Sequence, residues 1–102
     1  MGIKYDKVFL ILEEYEADAI GQEIAKETKK ELFCEINSIS QSEFNVAGHN
    51  GIKPECKVII WEAEYNGEQI IEIGGKRFTV YRTYSRDDGK IELYSEKRIG
   101  NE

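Results

Sequence analysis

Apolar and polar residues alternate in the C-terminal third of the chain, between dipeptides typical of tight turns. Phe78 and Val80 share one face of a predicted strand, and Ile91 and Leu93 share one face of the next. Such β-branched and aromatic residues fill a pleated surface. Three dipeptides that tolerate the positive φ of a primed turn separate the strands: Asn66-Gly67, Gly74-Gly75 and Asp88-Gly89. Residues 65–96 therefore predict an antiparallel β-meander of four short strands.

The N-terminal half contains two further predicted strands with a polar stretch between them. Residues 8–12 are apolar at every position and predict the first strand. Residues 16–30 are polar and indicate a long connection to a second strand at about residues 31–39. A helix over residues 17–32 is the rival interpretation, because Ala, Glu and Lys are frequent there. The apolar residues after Glu31 favour a strand and leave room only for a short helix.

A short helix is predicted between the second and third strands. Ser40 and Glu43 have the spacing of a capping box, with Ser at the N-cap and Glu three positions later. Phe44 and Ala47 then share one face, and Gly48 stands where a helix would stop. One or two helical turns over residues 41–47 fit this pattern.

A loop and a long strand complete the order of elements. Residues 49–54 predict a loop, with a turn at Asn50-Gly51 and its end at Pro54, and residues 56–65 predict a strand that leads into the meander. Residues 1–102 are expected to form one mainly β domain. The predicted architecture is a small antiparallel β-barrel or sandwich of about six strands, with one short helix between strands 2 and 3.

Two of the predicted strands carry more apolar residues than one buried face requires. If Val8 and Leu10 face inward, Phe9 and Ile11 must face outward, and Ile59 and Trp61 are likewise opposite their apolar neighbours. The short helix or the N-terminal segment could cover these side chains within one chain. Identical neighbours or a partner could also cover them, and this second interpretation is favoured. The candidate assembly surface is therefore Phe9, Ile11, Ile59 and Trp61.

Composition and charge exclude several classes of function. Fourteen basic and twenty acidic residues give a net charge of −6, which argues against a surface that grips phosphate backbones. No apolar stretch approaches the length of a membrane span, and the N-terminus lacks a signal-peptide pattern, so a cytosolic location is expected. Cys34 and Cys56 belong to alternating apolar sets and are interpreted as small core hydrophobes rather than a disulfide pair.

No group of residues has the pattern of a catalytic or metal site. The single histidine, His49, lies in a polar loop, and a zinc site built from His49, Cys34 and Cys56 would lack a fourth ligand and a Cys-x-x-Cys pair. The paired carboxylates fall on turns, on opposite strand faces or on a face expected to be solvated. No enzyme activity, cofactor or metal is therefore expected. Tyrosines and arginines on the last strands could imitate the stacking platform of an oligonucleotide-binding barrel: Tyr81, Tyr84, Tyr94, Arg77, Arg82 and Arg86.

The order of several motifs resembles a known family. An N-terminal strand is followed by Phe33-Cys34-Glu35-Ile36, by Ser40-Gln41-Ser42-Glu43-Phe44 with Ala47, and by Tyr65-Asn66-Gly67-Glu68. The strand Gly75-Lys76-Arg77-Phe78-Thr79-Val80-Tyr81-Arg82-Thr83 and the strand Ile91-Glu92-Leu93-Tyr94 come last. In this order and spacing, over nearly the whole chain, the sequence resembles the head–tail joining, or head-closure, proteins of long-tailed bacteriophages and prophages.

The resemblance implies a structural role without catalytic residues. Such proteins form a homo-oligomeric ring below the portal and its adaptor, keep the packaged genome in the head and provide the docking surface for the tail. The implied partners are portal, adaptor and tail-completion or tail proteins, and the implied location is the virion, with the host cytoplasm before assembly. The alternative is a small binding module of the oligonucleotide-binding type that uses the Tyr/Arg strand.

One segment could face the channel of such a ring and narrow it by rearranging. It combines a marginal helix with turn residues, so a rearrangement should cost little free energy. Equally, the segment could serve only as a lid over the end of the barrel. Its candidate residues are Ser40, Glu43, Phe44, Gly48, His49, Asn50, Gly51 and Pro54.

Overall fold

The computed structural model describes residues 4–97, with side chains from residue 6 onward. Its elements are β1 (Lys4–Ala17), β2 (Glu23–Asn37), α1 (Gln41–Gly48), β3 (Pro54–Trp61), a 3₁₀ turn (Glu62–Glu64), β4 (Ile70–Ile73), β5 (Lys76–Ser85) and β6 (Lys90–Lys97). The strands form a closed antiparallel barrel in the order β1-β2-β3-β6-β5-β4. The prediction of a mainly β barrel with a helix between strands 2 and 3 is confirmed.

Alternate side chains of all six strands fill the barrel interior, as the alternation predicted. The buried cluster consists of Val8, Leu10, Cys34, Val58, Ile60, Ile71, Phe78, Ile91 and Leu93. Cys34 and Cys56 are free thiols, and burial raises the pKa of each to about 11. Both side chains therefore stay protonated near neutral pH and pack as small apolar groups.

The first two strands are much longer than predicted. β1 and β2 pair from Lys4 opposite Ile36 to Ala17 opposite Glu23, so the polar stretch over residues 16–30 is strand rather than a long connection or a short helix. Only residues 18–22 join the two strands, with Gly21 in the turn at φ 86°. The charged β2 segment extends because β1 offers it a backbone ladder. The propensity of its Glu and Lys residues for helix is overridden by this pairing.

The predicted four-stranded meander is wrong at its first connection. β4, β5 and β6 do follow one another as neighbours, but β3 pairs with β6 and β2 rather than with β4. β4 instead pairs with β1 through Phe9–Ile11, which closes the barrel. The predicted strand over residues 56–65 ends at Trp61 and is followed by the 3₁₀ turn. The segment around Asn66-Gly67 thus crosses the barrel end and is not a hairpin turn.

Only one of the three turn dipeptides forms a two-residue primed turn. Gly74 and Gly75 have φ angles of 58° and 80°, and Ile73 pairs directly with Lys76. In the other two dipeptides only the glycine adopts positive φ. The β5–β6 connection spans residues 86–89, with the Arg86 N–H donating to the Lys90 carbonyl at 2.8 Å.

The far part of the β1–β2 hairpin projects beyond the barrel. β4 pairs with β1 only through residues 9–11, and β3 pairs with β2 only through residues 35–37. Residues 12–28, here called the arm, therefore form a two-stranded ribbon within the described chain. The molecule is correspondingly elongated, with principal extents of 52 × 30 × 24 Å.

Candidate functional site

Helix α1 begins as the capping box predicts and extends one residue further, to Gly48. The Ser40 hydroxyl accepts a hydrogen bond from the Glu43 backbone N–H at 3.2 Å. The Glu43 carboxylate does not complete the box, because its hydrogen bonds go to β5. Ala47 is the buried residue of the helix, whereas Phe44 is 47% exposed. Little apolar surface therefore holds α1 to the barrel.

Two side chains of β5 converge on the Glu43 carboxylate. The Tyr81 hydroxyl donates to Glu43 Oε2 at 2.7 Å, and Arg82 donates to both carboxylate oxygens, at 3.2 Å from Nε and 2.5 Å from one terminal nitrogen. Adjacent strand residues normally point to opposite faces. A β-bulge between Val80 and Arg82 breaks that alternation at this point. It allows both donors to reach one carboxylate.

The charges of this cluster shift the pKa values of its members. Hydrogen bonds from Arg82 and then Tyr81 hold the pKa of Glu43 below its ordinary value, against the effect of burial. Burial and the bond to Glu43 raise the pKa of Tyr81, and burial with a bond to Glu92 raises that of Tyr94 to about 12. The Arg82 guanidinium lies 3.9 Å from the centre of the Tyr94 ring. We call Glu43, Tyr81, Arg82 and Tyr94 the Glu43 cluster.

A cavity of about 560 Å³ lies between α1 and the strands β5 and β6. Its lining residues are Ser40, Ser42, Glu43, Val46, Ala47, Asn50, Ile52, Tyr81, Arg82 and Tyr94. The charged groups of this lining already bind one another, and no histidine or cysteine belongs to it. The arrangement provides strong hydrogen bonds but no activated nucleophile or general base. Its evident effect is to attach α1 to the barrel.

The other residues of the proposed channel segment lie around the end of α1. His49 is exposed and caps the helix with its backbone N–H, and the Asn50 side-chain amide donates to the Val46 carbonyl at 3.4 Å. Gly51 has a φ of 78°, which the turn requires. Pro54 is buried and begins β3.

The four predicted assembly residues differ in exposure. Ile11 and Ile59 are buried, at 2% and 4% exposure, so the expectation that they lie uncovered is corrected. Phe9 is partly buried, and Trp61 is 56% exposed. Of these four side chains, Trp61 alone offers a large apolar surface.

Neighbouring strands flank both isoleucines within the sheet. Ile11 lies between Lys29 and Ile70 in the sheet, and residues 67–69 line a groove beside it. Ile59 lies between Glu35 and Glu92 on the neighbouring strands. Residues 4–7 belong to β1, while residues 1–3 lie outside the described part of the chain.

Several exposed apolar residues were not singled out from the sequence. Phe33 is 81% exposed and lies beside Trp61 along a small cleft of about 200 Å³ where β2 separates from β3. The Lys7 ammonium lies 5.7 Å from the Phe33 ring centre, and the Lys90 ammonium lies 5.1 Å from the Trp61 ring centre. The alternation already placed Phe33 opposite Leu32 and Cys34, so its outward orientation could have been read from the sequence.

The arm exposes a second set of apolar side chains. These are Leu12, Tyr15, Ile20 and Ile24, exposed by 38%, 66%, 79% and 51%. Their exposure could not be read from the sequence, because it depends on the pairing of β2 with β1 alone. Leu12 and Ile24 share one face of the ribbon, Tyr15 lies on the opposite face, and Ile20 lies in the turn.

Ion pairs connect the base of the arm to the barrel. Arg77 on β5 binds both oxygens of the Glu27 carboxylate at 2.9 Å and binds Glu72 at 3.3 Å. Lys29 also reaches Glu72, at 3.5 Å, and Lys30 reaches Glu64 at 3.0 Å. These contacts raise the pKa of Arg77, with the hydrogen bond to Glu27 as the largest cause. The arm is thus fixed at its base and exposed at its tip.

The arginines of the Tyr/Arg strand are engaged with carboxylates. Arg77 binds Glu27 and Glu72, Arg82 binds Glu43, and Arg86 approaches Asp88 at 3.0 Å. Arg82 also occupies a face of the Tyr94 ring, whereas Tyr84 is 56% exposed. Cations that are neutralised in this way offer little attraction to phosphates. The geometry is therefore poorly suited to stacking successive bases.

Neither a metal-ligand cluster nor a membrane-spanning helix is found in the described part of the chain. Among residues 4–97, no three His, Cys, Asp or Glu side chains are grouped so that they could hold a metal ion. No helix in the same part of the chain has the length and hydrophobicity needed to cross a membrane.

Comparisons with known proteins identify a similar fold. No family model and no curated protein matches this sequence. Among solved structures, the solution structure of protein SF1141 from Shigella flexneri 2a, a structural genomics target, matches with a TM-score of 0.74. The match covers 90% of each chain at 13% sequence identity. At this level of identity, the likeness concerns the fold alone.

Proposed function

We propose that this chain is a structural component of a phage or prophage head–tail connector. It forms a ring below the portal and adaptor, closes the packaged head and presents the surface on which the tail docks. The order of motifs described above supports this proposal, because it spans nearly the whole chain. The six-stranded barrel with a helix between β2 and β3 agrees with the small barrels of that family.

The observation that carries the proposal is the apolar surface that one copy leaves uncovered. Phe33 and Trp61 form one exposed set on the barrel wall, and the arm carries another, which includes Ile20 and Ile24. A ring of identical subunits needs two different surfaces that meet head to tail. The chain offers two such surfaces in separate places.

The charge of the chain suits a channel through which DNA passes. The net charge is −6, and the arginines on the outer face of β5 bind carboxylates of the same chain. Free lysines or arginines along a channel would bind the phosphate backbone and slow its passage. The proposed ring therefore guides DNA without sequence-specific binding.

The segment from Ser40 to Pro54 is the part we propose to face the channel. Its helix buries Ala47 and is otherwise held by Glu43, so it can rearrange at a low cost in free energy. As a lid over the barrel end, the same segment would stay in place when the ring forms. Hydrogen exchange of residues 41–48 in the free and ring-bound states separates these two roles.

The test of this function is binding to portal–adaptor complexes of long-tailed phages. The expected result is co-sedimentation of many copies per complex and a new ring visible by electron microscopy. Absence of binding to complexes from phages or prophages whose genomes carry this gene would contradict the proposal. A titration with single-stranded DNA at low and high salt serves as the control. Tight, salt-sensitive binding there would instead favour the oligonucleotide-binding module.

A further inference from the structure

Both outer edges of the arm lack a strand partner within the described chain. β1 has no strand on its outer side beyond Ile11, and β2 has none over residues 23–34. Each such edge exposes a row of backbone N–H and C=O groups that can pair with another strand. A two-stranded ribbon without further neighbours is also only marginally stable in water. Pairing with a third strand would satisfy these backbone groups and would stabilise the ribbon.

The two edges differ in charge. Residues 13–17 of β1 carry three carboxylates, from Glu13, Glu14 and Glu16, and no basic side chain. Residues 26–30 of β2 carry three lysines and a single glutamate. Lys26 lies 3.9 Å from Glu16 of its own hairpin and Lys30 lies 3.0 Å from Glu64, but both side chains remain accessible, at 60% and 41% exposure, so they can exchange these partners for carboxylates of a second copy. One edge is thus acidic and the other is basic at its centre.

We propose that the β1 edge of one arm pairs with the β2 edge of the arm of a second copy. The two strands run antiparallel, as β1 and β2 do inside each hairpin, so successive copies extend a single sheet. The contact places Glu14 and Glu16 of one copy near Lys26 and Lys30 of the next. This inference rests on the proposed function, since it adds an arm-to-arm contact between neighbouring subunits of the ring to the contact between the two exposed apolar sets.

The distribution of charge selects head-to-tail pairing over symmetric pairing. Two β1 edges centred on Tyr15 would bring carboxylates against carboxylates, and two β2 edges centred on Thr28 would set Lys26 opposite Lys30 on one face, with Glu27 opposite Lys29 as the only attractive pair. Like charges directly opposite each other destabilise strand pairs, whereas opposite charges stabilise them. A head-to-tail contact leaves one free edge of each kind at the ends of every oligomer, and it closes when the rotation completes a ring.

Register supports the same arrangement. Within one hairpin, Glu14 lies opposite Lys26 and Leu10 lies opposite Lys30, so both lysines share a face with Glu14 and Glu16. The exposed Leu12 and Ile24 lie on that same face. A neighbouring strand therefore brings opposite charges together on one side of the sheet.

A zero-length carbodiimide provides the first test, because it links a carboxylate to an amine only where the two touch. The full chain, mixed from nitrogen-14 and nitrogen-15 preparations at high concentration, should give a ladder of dimers, trimers and larger adducts. Mixed-isotope peptides should join residues 13–17 of one copy to residues 26–30 of another. Adducts that stop at the dimer would overturn head-to-tail pairing. Absence of adducts between copies would contradict the proposal, and it would mean that the lysines only prevent this edge from pairing with another strand.

Charge reversal provides the second test. The double variants Glu14→Lys/Glu16→Lys and Lys26→Glu/Lys30→Glu should each associate about tenfold more weakly than the unchanged chain. An equimolar mixture of the two variants should restore the series of cross-linked dimers, trimers and larger adducts, because every contact then joins a basic edge to an acidic one. Failure of the mixture to recover would contradict the proposal, provided that circular dichroism shows both barrels folded.

The two proposals fail in different ways. If arms link to each other but the chain does not bind portal–adaptor complexes, the edge pairing stands and the connector role falls. If rings form on those complexes without adducts between arms, the connector role stands and the neighbouring subunits meet elsewhere.

Discussion

The barrel and the arm are built from the same two strands, yet they bury their side chains very differently. Leu10 and Leu12 lie on one face of β1, two residues apart, and they are 1% and 38% exposed. The difference comes from their surroundings, since Leu10 faces the barrel interior and Leu12 lies where the other strands have ended. Burial in a sheet is thus decided by how many strands lie alongside, and the strand's own sequence is secondary.

The means of attachment differ in the same way. The barrel is held by a continuous apolar cluster from all six strands. The arm is held by its backbone ladder and by ion pairs at its base, of which the contact from Arg77 to Glu27 has the best geometry. Ion pairs of this exposure contribute about 1 kcal/mol or less, whereas a buried leucine contributes several times more. The arm should therefore open locally while the barrel stays folded.

Truncating the two leucines gives the largest expected difference between the regions. Leu10→Ala should lower the free energy of unfolding by about 3 kcal/mol, because it removes buried methyl groups and leaves a cavity. Leu12→Ala should lower it by under about 1 kcal/mol. Urea denaturation at low protein concentration measures both. Equal losses would contradict the distinction between barrel and arm.

Removing the ion pairs of Arg77 at the base of the arm should have an intermediate effect on stability. Arg77→Met breaks the contacts to Glu27 and Glu72 and should destabilise the arm by about 1 kcal/mol, which corresponds to a roughly fivefold faster hydrogen exchange. Exchange over residues 23–30 should accelerate, while exchange over β6 should not change. Lys76→Met, at the exposed neighbouring position, serves as the control. An arm that exchanges no faster in Arg77→Met would show that the backbone ladder alone holds it.

The smallest expected effect concerns the attachment of α1, and it depends on pH. Glu43→Gln should cost about 0.5–1 kcal/mol at neutral pH, because the charged hydrogen bonds from Arg82 are weakened. The folded protein holds the pKa of Glu43 below its ordinary value of 4.5. This stabilisation is therefore complete above that value and is lost as the pH falls through the lower pKa of the folded state.

Hydrogen exchange of α1 and urea denaturation from neutral to acidic pH measure this dependence. The difference between the unchanged chain and Glu43→Gln should shrink as the pH falls. Glu55→Gln, at an exposed position, should show no such convergence. A difference that stays constant with pH would contradict the role of the Glu43 charge.

The sequence predicted the parts of the fold that follow from local alternation. Inward residues such as Val58, Ile60 and Leu93, the N-cap at Ser40 and the helix that follows were all identified correctly. The arm was missed because its β2 strand is charged on both faces, so it has no period of two. This part of β2 forms a strand because β1 pairs with it. Such pairing between residues that are distant in sequence cannot be recognised from local composition.

The outer surface was only partly predictable for a similar reason. Orientation follows from alternation, and Ile11 and Ile59 do belong to the set opposite the interior residues. Whether an outward-facing side chain is buried depends on which strands and loops lie alongside it, and the sequence did not predict the pairing of β3 with β6. The Glu43 cluster depends on a single bulge in β5, which no residue pattern at Tyr81 announces.

That bulge makes the position of α1 sensitive to the length of β5 as well as to its composition. Removing one codon at Tyr81 would restore a regular ladder opposite β6, and successive side chains would again diverge. The deletion would also remove the Tyr81 hydroxyl, so Arg82 alone would remain to bind the Glu43 carboxylate. In evolutionary terms, a single-residue insertion or deletion in β5 is enough to weaken the attachment of this helix, with little change in hydrophobicity.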